Sequence, residues 1–328
     1  MSLASRPSNP TSSIDVSFNS YAAVRQKQVG QHMPGGIPDY SFPLDYEIRR
    51  QINALPGIFR LFKAITNTMV PIERQILNMD GVAVGPNQYP EIYAMGEECA
   101  RRLGIGVPRI FIKYDVMMNA YAYAIEDAEP LICLTSALVQ HLSPSEVKYV
   151  IGHECGHIHN NHGIYQIAAD IILGTVTGGV SVAIPGLTQI MQLLTVGARL
   201  MFANWSRAAE VTCDRAGLIC ADSPDDAVRA LAKIGFGGES ALEGMDIDAY
   251  IHQIEVTQAT PARLLEVSYT HPLTQKRILA AKLFEECSLY YSWRPELLRP
   301  DMQLFDKADI DKRCESFISV ASNTMKTR

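Results

Sequence analysis

The stretch Val150-Ile-Gly-His-Glu-Cys-Gly-His-Ile158 constrains this chain more than any other. It holds His153, Glu154 and His157 in the spacing H-E-x-x-H. Four residues of α-helix advance about 400°, so the two histidines lie one turn apart on one face. Two neutral imidazoles so placed can share a zinc ion. Glu154 is rotated about 100° from His153 and points beside the metal, which suits a general base acting on water there. The flanks supply the helix that this reading needs. Ser143-Pro-Ser-Glu146 forms a capping box, with Ser143 as N-cap, Pro144 at the first helical position and Glu146 reaching back. Val147, Val150, Ile151 and Ile158 then recur as an apolar stripe. A buried pair of structural histidines is the alternative reading of the same residues.

A chain of 328 residues with 47% hydrophobic and 20% charged residues can bury a large core. Its net charge of −6, without a run of basic residues, gives no support to nucleic-acid binding. Residues 1–40 are rich in Ser, Asn, Pro and Gly and lack an apolar signal-like core, so they read as a flexible tail. The spaced apolar residues Ile14, Val16, Phe18, Tyr21 and Val24 leave open a second expectation, that the tail covers the cleft as an added strand. Residues 41–328 read as one domain, with core motifs over 85–287 and a helical C-terminal extension over 288–328. Seven cysteines without a C-x-x-C pair suit free thiols in a reducing cytoplasm, and Cys155 and Cys213 near the motifs read as packing residues.

Helical spacing appears from Asp45 to Phe62, after Pro71 and from Pro90 to Leu103, where Gly104 closes the helix. Val107–Lys113, Asn119–Ile125 and Leu131–Leu134 read as strands of a small sheet just before the histidine helix. Helices are expected again over Trp205–Cys220, from Ser223-Pro224, and over Met245–Thr257, Ala262–Val267, Leu273–Cys287 and Phe305–Val320. The fold class that follows is α+β and mainly helical. Ile171 to Ala198 carries no charged residue over 28 positions, long enough to raise a membrane span. Gly174, Gly178, Gly179, Pro185 and Gly186 break it, and a buried helical pair or a membrane-peripheral surface is expected instead.

Zinc needs a third protein ligand and an open position. In one zinc-protease class that ligand is a histidine ten residues after the first, but here the position is Gly163. His159 and His162 lie about 240° and 180° around the helix from His153, too far to share its metal, and read as residues that either support the ligands from behind or are solvated. In another class a later helix supplies a glutamate. Glu210 and Asp214, one turn apart, are available for that role: Glu210 as ligand, Asp214 as acceptor for the second ring N–H of a ligand histidine. Read alone, however, they are better explained as solvated carboxylates with Arg207 and Arg215 as surface partners.

Taken together, His153-Glu-Cys-Gly-His157, then Ser206-Arg-x-x-Glu210-x-x-x-Asp214-x-x-Gly217, then Thr270-His-Pro272 with Arg277, resemble the HtpX-like metallopeptidases. That superfamily includes the CAAX prenyl proteases and the Oma-type protease. The resemblance implies a zincin-like gluzincin endopeptidase with one Zn2+ per chain held by His153, His157 and Glu210. It implies that Asn119, Ala120 and Tyr121 begin an edge strand flanking the cleft and pairing with extended substrate. It assigns the oxyanion of the tetrahedral intermediate to His271, with Arg277 in support, a contribution of about 3 kcal/mol. Cys155 and Cys213 depart from the family, where Leu and Ala are common. Because His153 and Glu210 must meet at one metal, a single membrane span between them is excluded. The expectations are thus a zinc-dependent endopeptidase acting on a peptide or protein substrate, cytoplasmic or membrane-peripheral through 171–198. The alternative is a catalytically silent module of the same fold that binds a peptide or partner.

Overall fold

The computed structural model describes residues 32–54, 56–125, 128–173, 196–258, 266 and 272–318. The leading helices are α1 (Pro43–Asn53) and α2 (Pro56–Asp80), followed by strand β1 (Gly81–Ala83) and helix α3 (Pro90–Leu103). Strands β2 (Arg109–Lys113), β3 (Ala120–Tyr123) and β4 (Leu131–Thr135) come next, then α4 (Ser136–His141), α5 (Pro144–His159) and α6 (Gly163–Leu173). The remaining described helices are α7 (Val196–Cys220), α8 (Pro224–Phe236), α9 (Glu239–Leu242), α10 (Ile247–Gln258), α11 (Thr274–Glu285), α12 (Ser288–Trp293) and α13 (Lys307–Ile318). The fold is mainly helical with one four-stranded mixed sheet, the α+β class read from the sequence.

Strand order is β1-β2-β4-β3, with β2 and β4 parallel and the outer pairs antiparallel. β3 is therefore an edge strand, as expected. Its alternation of Ala and Tyr separates two faces. Tyr121 and Tyr123 pack with Leu77 of α2, Phe111 and Cys133, while Ala120 and Ala122 face the main core under α5. Small residues on that face let the sheet approach the histidine helix closely.

At the centre lies α5, capped as its sequence requires: Ser143 Oγ accepts from the Glu146 amide and Glu146 Oε2 accepts from the Ser143 amide. Its burial exceeds a one-sided stripe, because every residue from Glu146 to His159 is buried. It crosses α7 at a contact with room only for glycine. A Cβ on Gly152 would lie 2.4 Å from Cys220 Cβ, and one on Gly156 would lie 2.7 Å from Ala216 Cβ and 3.0 Å from Cys213 Cα. From the other side, a Cβ on Gly217 would lie 2.6 Å from the Tyr149 ring. Cys213 and Cys220 are thus packing residues at the crossing, and all seven cysteines are buried and free.

Several expectations need correction. The tail does not extend to residue 40: His32 stacks on Trp293 with ring centroids 3.9 Å apart, and Tyr40 and Phe42 lie in the core. Residues 1–31, including the apolar positions considered for covering the cleft, lie outside the described residues. Pro71 does not divide a helix, since α2 runs through it with Phe62, Ile65, Val70 and Leu77 buried on either side. Packing there offsets the lost amide bond. Strand β1, three residues long, is too short to show a period in sequence. Residues 174–195, which hold most of the uncharged stretch 171–198, and nearly all of 262–267 lie outside the described residues. No helix among the described residues is long and apolar enough to cross a membrane.

Candidate active site

The close crossing of α5 and α7 brings Glu210 against the two histidines of α5. His153 Nε2 lies 3.6 Å from Glu210 Oε2, and His157 Nε2 lies 3.6 Å from Glu210 Oε1. One atom from each of the three residues falls within 4.8 Å of the others. Two imidazole nitrogens and one carboxylate oxygen are the donor set of a catalytic zinc site with an open position. Glu154 stands next in the helix, 4% exposed, with Oε2 lacking any hydrogen-bond partner. A buried carboxylate oxygen without a partner is costly unless water fills the role, so the residues present fit a metal ion with a water beside it. Burial pushes the Glu154 carboxyl up and Glu210 adds to this, against the pull of His153 and His157.

Asp214, one turn after Glu210, accepts at 2.9 Å from His153 Nδ1, which leaves Nε2 of that ring for the metal. The same carboxylate accepts from Tyr149 Oη at 2.8 Å and from Arg277 at 2.6 and 2.9 Å. Burial alone would raise Asp214, but Arg277 and His153 outweigh it and hold the carboxyl down to about 2. Arg277 also lies 3.1 Å from Glu210 Oε2, so its guanidinium spans both carboxylates of α7. The role the resemblance gave it, in support of His271, falls on a contact outside the described residues, since His271 itself lies outside them. Arg207 and Arg215 are not surface partners either: both are buried, with Arg215 bonded to the Tyr40 carbonyl and paired with Asp311 at 2.7 Å.

Of the two readings of His159 and His162, burial removes the solvated one and leaves the supporting one. The helical angle misplaces His162 because α5 ends at His159 and Asn161 turns the chain back with φ of 57°. That turn lays His162 Nδ1 at 3.1 Å from His157 Nδ1. Burial pushes His162 down to about 4, against the pull of Asp45, so the ring is neutral at physiological pH. His159 instead bonds the Tyr40 hydroxyl at 3.0 Å. A second group of possible metal donors joins His157, His162 and Cys213. Burial, aided by Glu210 and Asp45, pushes the Cys213 thiol up.

A cleft of about 160 Å³ opens onto this centre, with Asn119 and Ala120 on one wall and Leu231 and Ile234 of α8 on another. Asn119 and Ala120 sit where the sequence put them, whereas the Tyr121 side chain turns to the opposite sheet face, its hydroxyl on Glu73 at 2.9 Å. A larger groove of about 370 Å³, between Tyr89 and Val147, has mainly apolar walls and no converging polar groups. Tyr149 and Gln166, which also line the cleft, went unread in the sequence. Tyr149 was findable, one turn ahead of His153 on the same face. Gln166 had no such signal.

The Peptidase family M48 description matches residues 86–284. The plastoglobule-localized metallopeptidase 48 of Arabidopsis thaliana is 30% identical over 220 residues, which cover 66% of this chain and 60% of that protein. A protease HtpX homolog of Bifidobacterium longum is 26% identical over 232 residues, covering 62% and 73% respectively. Against the structure of S. mikatae Ste24p the TM-score is 0.40 at 16% identity, covering 80% of this chain and 66% of that one. With this family matched over more than half its length, the chain belongs to peptidase family M48.

Proposed function

We propose that the protein is a zinc-dependent endopeptidase whose metal is held by His153, His157 and Glu210, one ion per chain. The observation that carries this reading is the convergence of both Nε2 atoms on the Glu210 carboxylate beside the unpartnered Glu154 Oε2. A zinc ion bound there would polarise the scissile carbonyl and lower the pKa of water to about 7. Glu154 takes the proton of the attacking water and delivers it to the leaving amine. Burial favours this exchange, since it raises the carboxylate's affinity for the proton it must briefly hold. Asp214, with Tyr149 and Arg277 on its remaining lone pairs, fixes the His153 ring. Among the described residues no strand pairs with the outer edge of β3, so at Ala120, beyond the Asn119 backbone that is bonded to Thr135, this edge would receive an extended peptide in the β-addition mode of recognition. By resemblance, His271 donates to the oxyanion.

The test pairs metal content with cleavage of a mixed peptide library. Wild type is expected to bind one zinc and cleave, Glu210→Ala to lose the metal, and Glu154→Gln to keep zinc without cleaving. Zinc retained in full by Glu210→Ala would remove the third ligand. A Glu154→Gln variant as active as wild type, or a wild type that binds peptides without cutting them, would favour the silent binding module.

A further inference from the structure

The two proposed ligand histidines are held differently. His153 turns Nδ1 to a carboxylate, but His157 turns Nδ1 to another imidazole, His162 Nδ1 at 3.1 Å. His162 in turn presents Nε2 to Asp45 Oδ2 at 3.0 Å. All three residues are buried. Once His157 offers Nε2 to a metal, its proton sits on Nδ1 and that nitrogen donates. His162 Nδ1 must then accept, which places the His162 proton on Nε2, donated to Asp45. A carboxylate, which only accepts, ends the chain.

We propose that Asp45, acting through His162, is the positioning residue of His157: the pair fixes the ring orientation and the tautomer that leaves Nε2 free for the metal. The proposal rests on reading His153, His157 and Glu210 as the metal centre. Asp45 is well placed to act as an anchor. Oδ1 accepts from Trp205 Nε1 at 2.9 Å and pairs with Arg49 Nε at 3.0 Å, and Oδ2 accepts from Thr212 Oγ1 at 2.9 Å. Trp205 and Thr212 belong to α7, the helix that carries Glu210 and Asp214. The carboxylate that orients one ligand is thereby tied to the element that supplies another. Asp45 lies on α1, ahead of the region over which the family matches, so a segment outside that region reaches the metal centre. Cys213 Sγ lies 3.6 Å from His162 Nδ1. A second metal ion held there by His157, His162 and Cys213, with His157 Nε2 already on the first, would need a bridging imidazolate and a thiolate in an enclosed place, whereas the hydrogen-bonded chain needs neither.

Zinc affinity, measured on folded protein by competition with a chromophoric chelator, tests the proposal. Asp45→Asn and His162→Gln are expected to weaken zinc binding on the order of 10 to 100-fold. Thr212→Val, which removes a different bond to the same carboxylate, is expected to leave affinity near wild type. An equal loss in Thr212→Val would mark a general structural role and overturn the proposal. Glu210→Ala monitors the centre itself. If it keeps its zinc, the metal reading fails and takes this proposal with it. If it loses zinc while Asp45→Asn and His162→Gln bind as wild type, only the positioning role is overturned. Two zinc ions per wild-type chain, one of them lost in Cys213→Ala, would also overturn it. Long-range 1H–15N spectra of the zinc-loaded wild type need no variant to fold. They are expected to show His157 protonated on Nδ1 and His162 on Nε2, and the opposite tautomer at His162 would refute the chain.

Discussion

Buried partners orient both histidines proposed here as metal ligands. His153 shows this most directly, since its Nδ1 bond to Asp214 decides which nitrogen faces Glu210. Asp214→Ala is therefore expected to weaken zinc binding by about 10 to 100-fold without unfolding the chain, as chelator competition would show. Glu154→Gln changes no ligand, and its loss should appear almost wholly in kcat with zinc content unchanged. His271→Phe should lower kcat on the order of 10² to 10³-fold with zinc retained. An unchanged kcat would leave Thr270-His-Pro272 as no more than the approach to α11. Arg277, with His153, holds Asp214 as an anion, so removing Arg277 should mimic a weakened Asp214 rather than a lost ligand.

At the scale of elements, the site depends on how closely α5 and α7 approach. Gly152→Ala tests this with two opposing magnitudes. Alanine in place of glycine favours a helix by roughly 1 kcal/mol. The new Cβ would meet Cys220 Cβ at 2.4 Å, and overpacking of that kind costs about 1 to 3 kcal/mol and pushes the helices apart. The clash is expected to win, lowering both thermal stability and zinc affinity, and Gly152→Ala with Cys220→Gly should recover both. Much of this layout was legible in the sequence. The capping box fixed the start of α5, the two one-turn spacings fixed the faces of α5 and α7, and the Ala-Tyr alternation marked β3 as a two-faced strand. What escaped shares one cause. Asp45 meets His162 across 117 residues, and Arg277 meets Asp214 across 63, distances at which no local period speaks. His162 was misplaced because the angular argument assumed a helix that ends three residues earlier.

For the whole molecule, the ends of the chain's described core bear on both membrane attachment and activity. Arg199, just past the uncharged stretch, donates to the carbonyl of Ile172 near its start at 3.0 Å. The two flanks therefore lie on one side of any surface the protein touches. The localisation we propose, cytoplasmic or membrane-peripheral, predicts recovery in the soluble fraction or release from membranes by carbonate or salt, and recovery only in detergent would contradict it. The N-terminal segment gives a sharper prediction. Residues 32–53 contribute the His32 stack on Trp293, the buried Tyr40 and Phe42, and Asp45, bonded to His162 behind the proposed ligand His157. A chain beginning at His32 should keep native stability and zinc affinity, whereas one beginning at Pro56 loses core and centre together. Zinc binding links the two quantities. At free zinc 100-fold above Kd the metal adds about 2.7 kcal/mol to stability, so chelation should lower Tm by roughly 5 °C in a domain of this size. The His32 chain should show that full chelation shift. Any chain beginning at Pro56 that still folds should show little, because the support for His157 has gone. An undiminished shift in the Pro56 chain would mean that α1 contributes packing to the fold and nothing to the metal.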